Sequence, residues 1–135
     1  MIIAIDFDDT ITEPSPYPIT GKVRKDAIKY ITKLYLDGHK LILWTCREGK
    51  YLDEAISILD KCELLYKFDK INENVDGKTS SRKIFADYYI DDKSMKINWR
   101  KIYNRISGKY FWETVNDTLS KIDIQELTYL RGRKW

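Results

Sequence analysis

The chain of 135 residues holds one histidine, His39, and that scarcity removes whole classes of chemistry. HExxH zinc enzymes, histidine-dependent Ser or Cys triads and multi-histidine metal sites all need more. The two cysteines, Cys46 and Cys62, are too few for a four-cysteine zinc site or a disulfide scaffold, and they imply a reducing compartment. No basic leader runs into a longer apolar stretch, and nothing approaches the roughly 18 apolar residues of a membrane span. The expectation is a cytoplasmic protein with no membrane partner. All three prolines fall within residues 13–18, which must therefore form an irregular loop or small flap. Catalysis, if present, is left to carboxylates, lysines, hydroxyls or a hard metal ion.

The composition is that of a globular protein, 43% apolar and 33% charged, with room for one ordinary domain. The net charge is mild, 24 − 21 = +3. It is unevenly placed: residues 98–135 carry eight basic and four acidic groups, and residues 1–97 carry 16 and 17. The basic tail interleaves Trp99, Arg100, Lys101, Tyr103, Arg105, Lys109, Tyr110, Phe111 and Trp112. Such a pattern can track single-stranded nucleic acid, although at helical spacing the aromatics are expected to pack on a sheet while the bases stay solvated.

Ile2-Ile3-Ala4-Ile5 is a continuous apolar run, the mark of a strand buried on both faces, and it ends in Asp6-Phe7-Asp8-Asp9. Val23, Ala27, Ile28, Ile31, Leu34 and Tyr35 make a helical stripe closed by Gly38. His39 is expected at that helix end. Leu41-Ile42-Leu43-Trp44 reads as a second buried strand ending at Thr45, with Trp44 in the core rather than serving as a base-stacking platform. Leu52, Ala55, Ile56, Leu59 and Cys62 form a second helical stripe. Residues 66–71 suggest a more polar strand near an edge, and Asp76-Gly77 signals a turn. Tyr88-Tyr89-Ile90 is a short strand ending in Asp91-Asp92. Beyond it a helix is expected from Trp99 to Ile106, a break at Gly108 and a further helix over residues 111–130.

This alternation predicts an α/β domain with a Rossmann-like parallel sheet, three-layered α/β/α and without a large cap. Ligands in such sheets bind at the carboxyl ends of strands, and the polar clusters Asp6/Asp8, Thr45 and Asp91/Asp92 fall at those ends. Carboxylates converging there repel unless a cation neutralises them, which points to Mg²⁺ working with a phosphate. Thr45 and a lysine are suited to hold the phosphoryl oxygens. Cys46 invites a thiol-phosphatase reading, but no arginine follows at the distance a phosphate loop needs. Arg47 is placed either on a substrate phosphate or in a pair with Glu48 or Asp53.

Asp6-Phe7-Asp8-Asp9-Thr10 after an apolar strand resembles the DxDx[TV] motif of the haloacid dehalogenase (HAD) superfamily of phosphohydrolases. Thr45 matches its second motif, Lys83 its third-motif lysine, and Ile90-Asp91-Asp92 its acidic fourth motif. LILWTCREG and SRKIFADYYIDDKS look like a subgroup of small bacterial and phage members, and the resemblance covers residues 1–107 of a single domain, leaving 108–135 as a helical extension. It implies a Mg²⁺-dependent phosphatase in which Asp6 is the nucleophile and forms an aspartyl-phosphate. Asp8 is implied as general acid and then base, and Thr45 and Lys83 as holders of the phosphoryl group. The metal is implied on Asp6, the Asp8 carbonyl and Asp91, with Asp92 acting through water or exchanging roles with Asp91. Asp9, Thr10 and Arg47 are further candidate substrate contacts. Asp9 stands where the motif usually has Gly, and Lys78 and Arg82 compete with Lys83 for its role.

The short gaps between motifs leave only the proline-rich flap over the site. An open site of this kind suits a phosphorylated small molecule or the phosphorylated end of a macromolecule. A 5′-nucleotidase or nucleic-acid end phosphatase is the substrate-level alternative. A non-catalytic, receiver-like phospho-binding module is the alternative of another class.

Overall fold

In the computed structural model, which describes residues 1–79 and 81–120, the first apolar run forms β1 (Ile2–Ile5), and every residue in it is buried. It is followed by α1 (Lys25–Leu36), β2 (Lys40–Leu43), α2 (Gly49–Lys61), a 3₁₀ turn at Leu65–Lys67, β3 (Phe68–Ile71), β4 (Tyr88–Ile90) and α3 (Trp99–Ser120). The four strands make one all-parallel sheet in the order β3-β2-β1-β4, so the more polar strand does lie at an edge. Two compact units are present, Met1–Arg100 and Lys101–Trp135. Among the described residues no helix is long and apolar enough to cross a membrane.

α1 buries Ala27, Tyr30, Ile31 and Leu34, an i, i+3, i+4, i+7 stripe. Val23, expected to open it, instead bridges antiparallel to Thr12, so the helix starts later and the proline-rich segment leaves and returns through this bridge. Gly38 ends α1 in a Schellman arrangement: it adopts φ 90°, its N–H donates to Tyr35 O (3.0 Å), and the His39 N–H donates to Leu34 O (3.3 Å). Gly108, by contrast, does not break α3, which runs unbroken from Trp99 to Ser120. Helical Gly costs only about 1 kcal/mol relative to Ala, too little to end a helix by itself. The part of the tail beyond residue 120, including Arg131 to Trp135, lies outside the described residues.

The two faces of the sheet are covered differently. The chain steps from β1 to β2 to β3 in one direction, and right-handed crossovers place α1 and α2 together on one face. Ile3, Ile5, Leu41 and Leu43 are fully buried, as are Ala55 and Leu59 of α2. The return from β3 to β4 carries no helix among its described residues. Val75, Ile84, Ala86 and Tyr89 pack there against Ile2, Ala4 and Ile42. The β3–β4 crossover covers this part of the face as an irregular segment pinned by side chains. The Asn74 amide donates to Ser81 O (2.9 Å) and Lys83 O (3.2 Å), and its carbonyl accepts from the Phe85 N–H (2.6 Å).

Candidate functional site

The strand order creates the site. β1 connects to β2 on one side, while β4 enters on the other, so the chain reverses direction across the sheet between β1 and β4. A crevice opens at the carboxyl ends of two such strands. Register makes those ends level: Ile5 pairs with Leu43 on one side and Ile90 on the other. The ladder continues one step further, with the Asp6 N–H donating to Ile90 O at 2.9 Å and the Trp44 N–H to Ile5 O at 2.9 Å. Asp6 and Asp91 are therefore neighbours because parallel strands of equal reach end together.

Oxygens of Asp6, Asp91 and Asp92 all lie within 4.8 Å of one another. Partial burial, helped by the charge of Asp91, pushes the Asp6 carboxyl up from 3.8 to about 7; the Phe7 N–H opposes that rise and Asp92 adds to it. Three acids at this spacing form an oxygen-only donor set of the kind hard divalent cations take. Thr10 stands at its edge. Its hydroxyl lies 3.4 Å from Asp6 Oδ2 and 3.5 Å from Asp92 Oδ1, can donate to one of them at a time, and accepts the Asp92 N–H at 3.1 Å. The fully buried Trp99 fixes Thr10 in turn, its indole N–H donating to Thr10 O at 3.0 Å. Nothing in the sequence pattern singled out Trp99 for this role.

The turn after β1 runs on without glycine. Asp9 occupies φ 61°, a left-handed conformation that Asp tolerates better than most side chains. Its carboxylate accepts the Ser15 N–H (3.0 Å), which directs its charge to the proline-rich loop, not to the acidic cluster. Phe7 O accepts the Ile11 and Thr12 N–H groups at 3.0 and 3.2 Å, closing the turn.

Asp8 leaves the cluster in another direction. Arg47 grips it with two bonds, Nε to Oδ2 at 2.8 Å and Nη2 to Oδ1 at 2.7 Å, in the planar fork suited to a carboxylate. Asp8, not Glu48 or Asp53, is therefore the close partner of Arg47, with Glu54 of α2 a longer contact at 3.9 Å from Nη1. The guanidinium is fully buried. It also donates to Pro18 O (3.1 Å) and Tyr51 O (3.2 Å) and lies against the Phe7 and Tyr17 rings. A side chain so enclosed ties three segments together: the turn after β1, the proline-rich loop and the start of α2.

Thr45 follows β2 and is clamped by Asn72, which follows β3. The Asn72 carbonyl accepts the Thr45 N–H (2.9 Å) while its amide donates to Thr45 O (3.0 Å). Thr45 Oγ1 accepts the Arg47 N–H at 3.1 Å, which leaves the hydroxyl proton free to be donated. Asn72 adopts φ 53°; sequence reasoning passed it over, and its only available signal is a polar residue able to take the left-handed conformation just after a strand. Lys83 is exposed on the β3–β4 crossover, and among the described residues it makes no ion pair with the acidic cluster. Its rival Lys78 lies over the Phe85 ring at 5.8 Å. Asp6, Thr10, Asp91 and Asp92 are thus brought together, while Asp8, Asp9 and Lys83 turn elsewhere.

No family model matches the sequence, and no curated protein matches it. Among solved structures, a conserved protein from Bacteroides thetaiotaomicron is similar, with 38% sequence identity and a TM-score of 0.68. The match covers 81% of this chain and 91% of that one. Identity at this level over nearly the whole of the other chain means common descent, and this protein belongs to the same family as that conserved Bacteroides thetaiotaomicron protein.

Proposed function

We propose that the protein is a Mg²⁺-dependent phosphohydrolase of the HAD type, acting through an aspartyl-phosphate on Asp6. The observation that carries this reading is the convergence of Asp6, Asp91 and Asp92 within 4.8 Å at the crevice where the sheet reverses direction. The residues fit a hard cation, since all donors are oxygens and the Asp6 carboxyl rises towards 7 when no cation balances its neighbours. Asp6, Asp91 and Asp92 would hold Mg²⁺, which when bound neutralises phosphoryl charge and keeps Asp6 ionised.

The chain's own residues supply the remaining work. The Asp6 carboxylate attacks phosphorus, the P–O bond to the leaving group breaks, and water later cleaves the acyl phosphate to release inorganic phosphate. Thr45, held by Asn72, offers its hydroxyl proton to a phosphoryl oxygen. The Thr10 hydroxyl steadies the Asp6 and Asp92 carboxylates. Asp8 is the natural acid for the leaving oxygen, and to reach it at least one of its two bonds with Arg47 must open. Lys83 would have to swing in with the crossover to neutralise phosphate.

A second reading draws on that same Asp8–Arg47 pair. An acid held in both arms of a guanidinium suits a phospho-binding or receiver-like module in which Asp6 is phosphorylated but slow to turn over. Incubation with acetyl phosphate and Mg²⁺ separates the two. Steady release of phosphate that disappears with Asp6→Asn and with excess EDTA supports the phosphohydrolase, while a long-lived phospho-Asp6 supports the module. Undiminished hydrolysis in the Asp6→Asn variant refutes both.

A further inference from the structure

We infer that the crevice accepts phosphomonoesters whose leaving group carries a planar ring, stacked on Trp44; this rests on the phosphohydrolase reading and names its substrate class. Strand alternation sets the geometry. Ile2, Ala4, Ile42 and Tyr89 share one face of the sheet, and stepping by two along β1 and β2 brings Asp6 and Trp44 to that same face at the carboxyl end. The backbone bond from Trp44 N to Ile5 O keeps β2 alongside β1 at this point, so Trp44 borders Asp6 at the spacing of adjacent strands, about 4.8 Å.

Trp44 departs from its strand in one respect. Leu41, Ile42 and Leu43 are fully buried, while Trp44 is 36% exposed. Its ring meets Tyr89 edge-on, with centroids 5.2 Å apart and planes at 61°. The two rings come from strands on opposite sides of β1, and the small Ala4 between them leaves the space in which they meet. Tyr89 is pinned through its hydroxyl, which donates to Ile84 O (2.5 Å) and accepts the Ala86 N–H (3.2 Å). The outcome is an indole braced by a fixed ring, partly open to solvent and one strand away from the acidic cluster. A hollow of about 290 Å³ in the β3–β4 crossover is bordered by Asn72, Asn74, Arg82 and Ile84. Of its lining residues, Asn72 clamps Thr45 and Ile84 accepts the Tyr89 hydroxyl, so the crossover that borders the hollow is bonded both to a phosphate-binding candidate and to the aromatic pair.

The test compares adenosine 5′-monophosphate and p-nitrophenyl phosphate with glycerol 3-phosphate, all with Mg²⁺. The wild type is expected to favour both ring-bearing esters in kcat/KM, and Trp44→Ala to cut that preference by roughly 10-fold, mainly through KM, as loss of one aromatic stack predicts. The tighter of the two ring-bearing probes identifies a nucleoside or a simple aryl group as the leaving group. A preference that is absent, or unchanged in Trp44→Ala, overturns the inference even where all three esters are hydrolysed. Calorimetric binding of the same probes to the non-reactive Asp6→Asn variant gives a readout independent of turnover. Ring-selective binding that depends on Trp44, without hydrolysis by the wild type, refutes the phosphohydrolase reading and leaves the stacking site standing. Binding that ignores the ring refutes the stacking site.

Discussion

Replacing Asp6 by Asn should abolish activity and yet stabilise the metal-free protein at neutral pH. In the fold the Asp6 carboxyl is raised from 3.8 to about 7, chiefly by burial and then by Asp91. Between those two values the folded state holds a proton that the unfolded state has released, so stability must fall as pH rises from about 4 to 7. A rise of that size corresponds to a ceiling of about 4 kcal/mol. Asp6 is only partly buried, and solvent screening reduces this to about 1–2 kcal/mol. Asn carries no charge and should recover that amount, raising Tm by roughly 4–8 °C at pH 7.5 and by almost nothing at pH 4. The assay is thermal unfolding in EDTA across that pH range, repeated with excess Mg²⁺. Magnesium should stabilise the wild type at pH 7.5 far more than Asp6→Asn. An Asp6→Asn protein that is no more stable than the wild type at pH 7.5 in EDTA would refute the claim that burial and Asp91 together penalise an ionised Asp6.

The Arg47–Asp8 pair should behave as a buried unit. Arg47→Met leaves Asp8 without its partner and is expected to cost about 3–5 kcal/mol in urea unfolding, with part of the loss recovered when Asp8→Asn is added. Trp99→Phe removes the bond to Thr10 O and leaves a small void where the larger indole was packed, costing about 2–4 kcal/mol and lowering kcat through a looser Thr10. At φ 61° Asp9→Ala should cost about 1–2 kcal/mol, whereas Asp9→Gly should be nearly neutral in stability; equal losses in the two would refute the backbone argument.

Much of this arrangement was legible because it is local. The unbroken run Ile2–Ile5 became a buried central strand, and the stripe Ala27, Ile31, Leu34 became the inner face of α1. The acids directly following β1 and β4 also followed from sequence, because the first residue past each of two level strands borders the same crevice. Partners across the fold left no such mark. Nothing in residues 45–54 says that Arg47 reaches Asp8 39 positions earlier, since the nearer Glu48 and Asp53 look equally suitable on paper. Trp44 misled for a related reason. Its three predecessors are core residues, and periodicity cannot see that the strand ends one residue before it.

What organises the site is the near-equality of three short strands more than any motif taken alone. β1 and β2 have four residues and β4 three, and their last residues, Ile5, Leu43 and Ile90, sit in one row. The next row is then Asp6, Trp44 and Asp91: an acid in the middle, an acid on one side and an indole on the other. A one-residue slip of β4 would turn its side chains to opposite faces and carry Asp91 out of the row. The row explains why a carboxylate pair and an aromatic surface share one crevice. It also ties the chemistry proposed for Asp6 to the ring proposed for Trp44, since the same register that lets the acids repel holds the indole beside them.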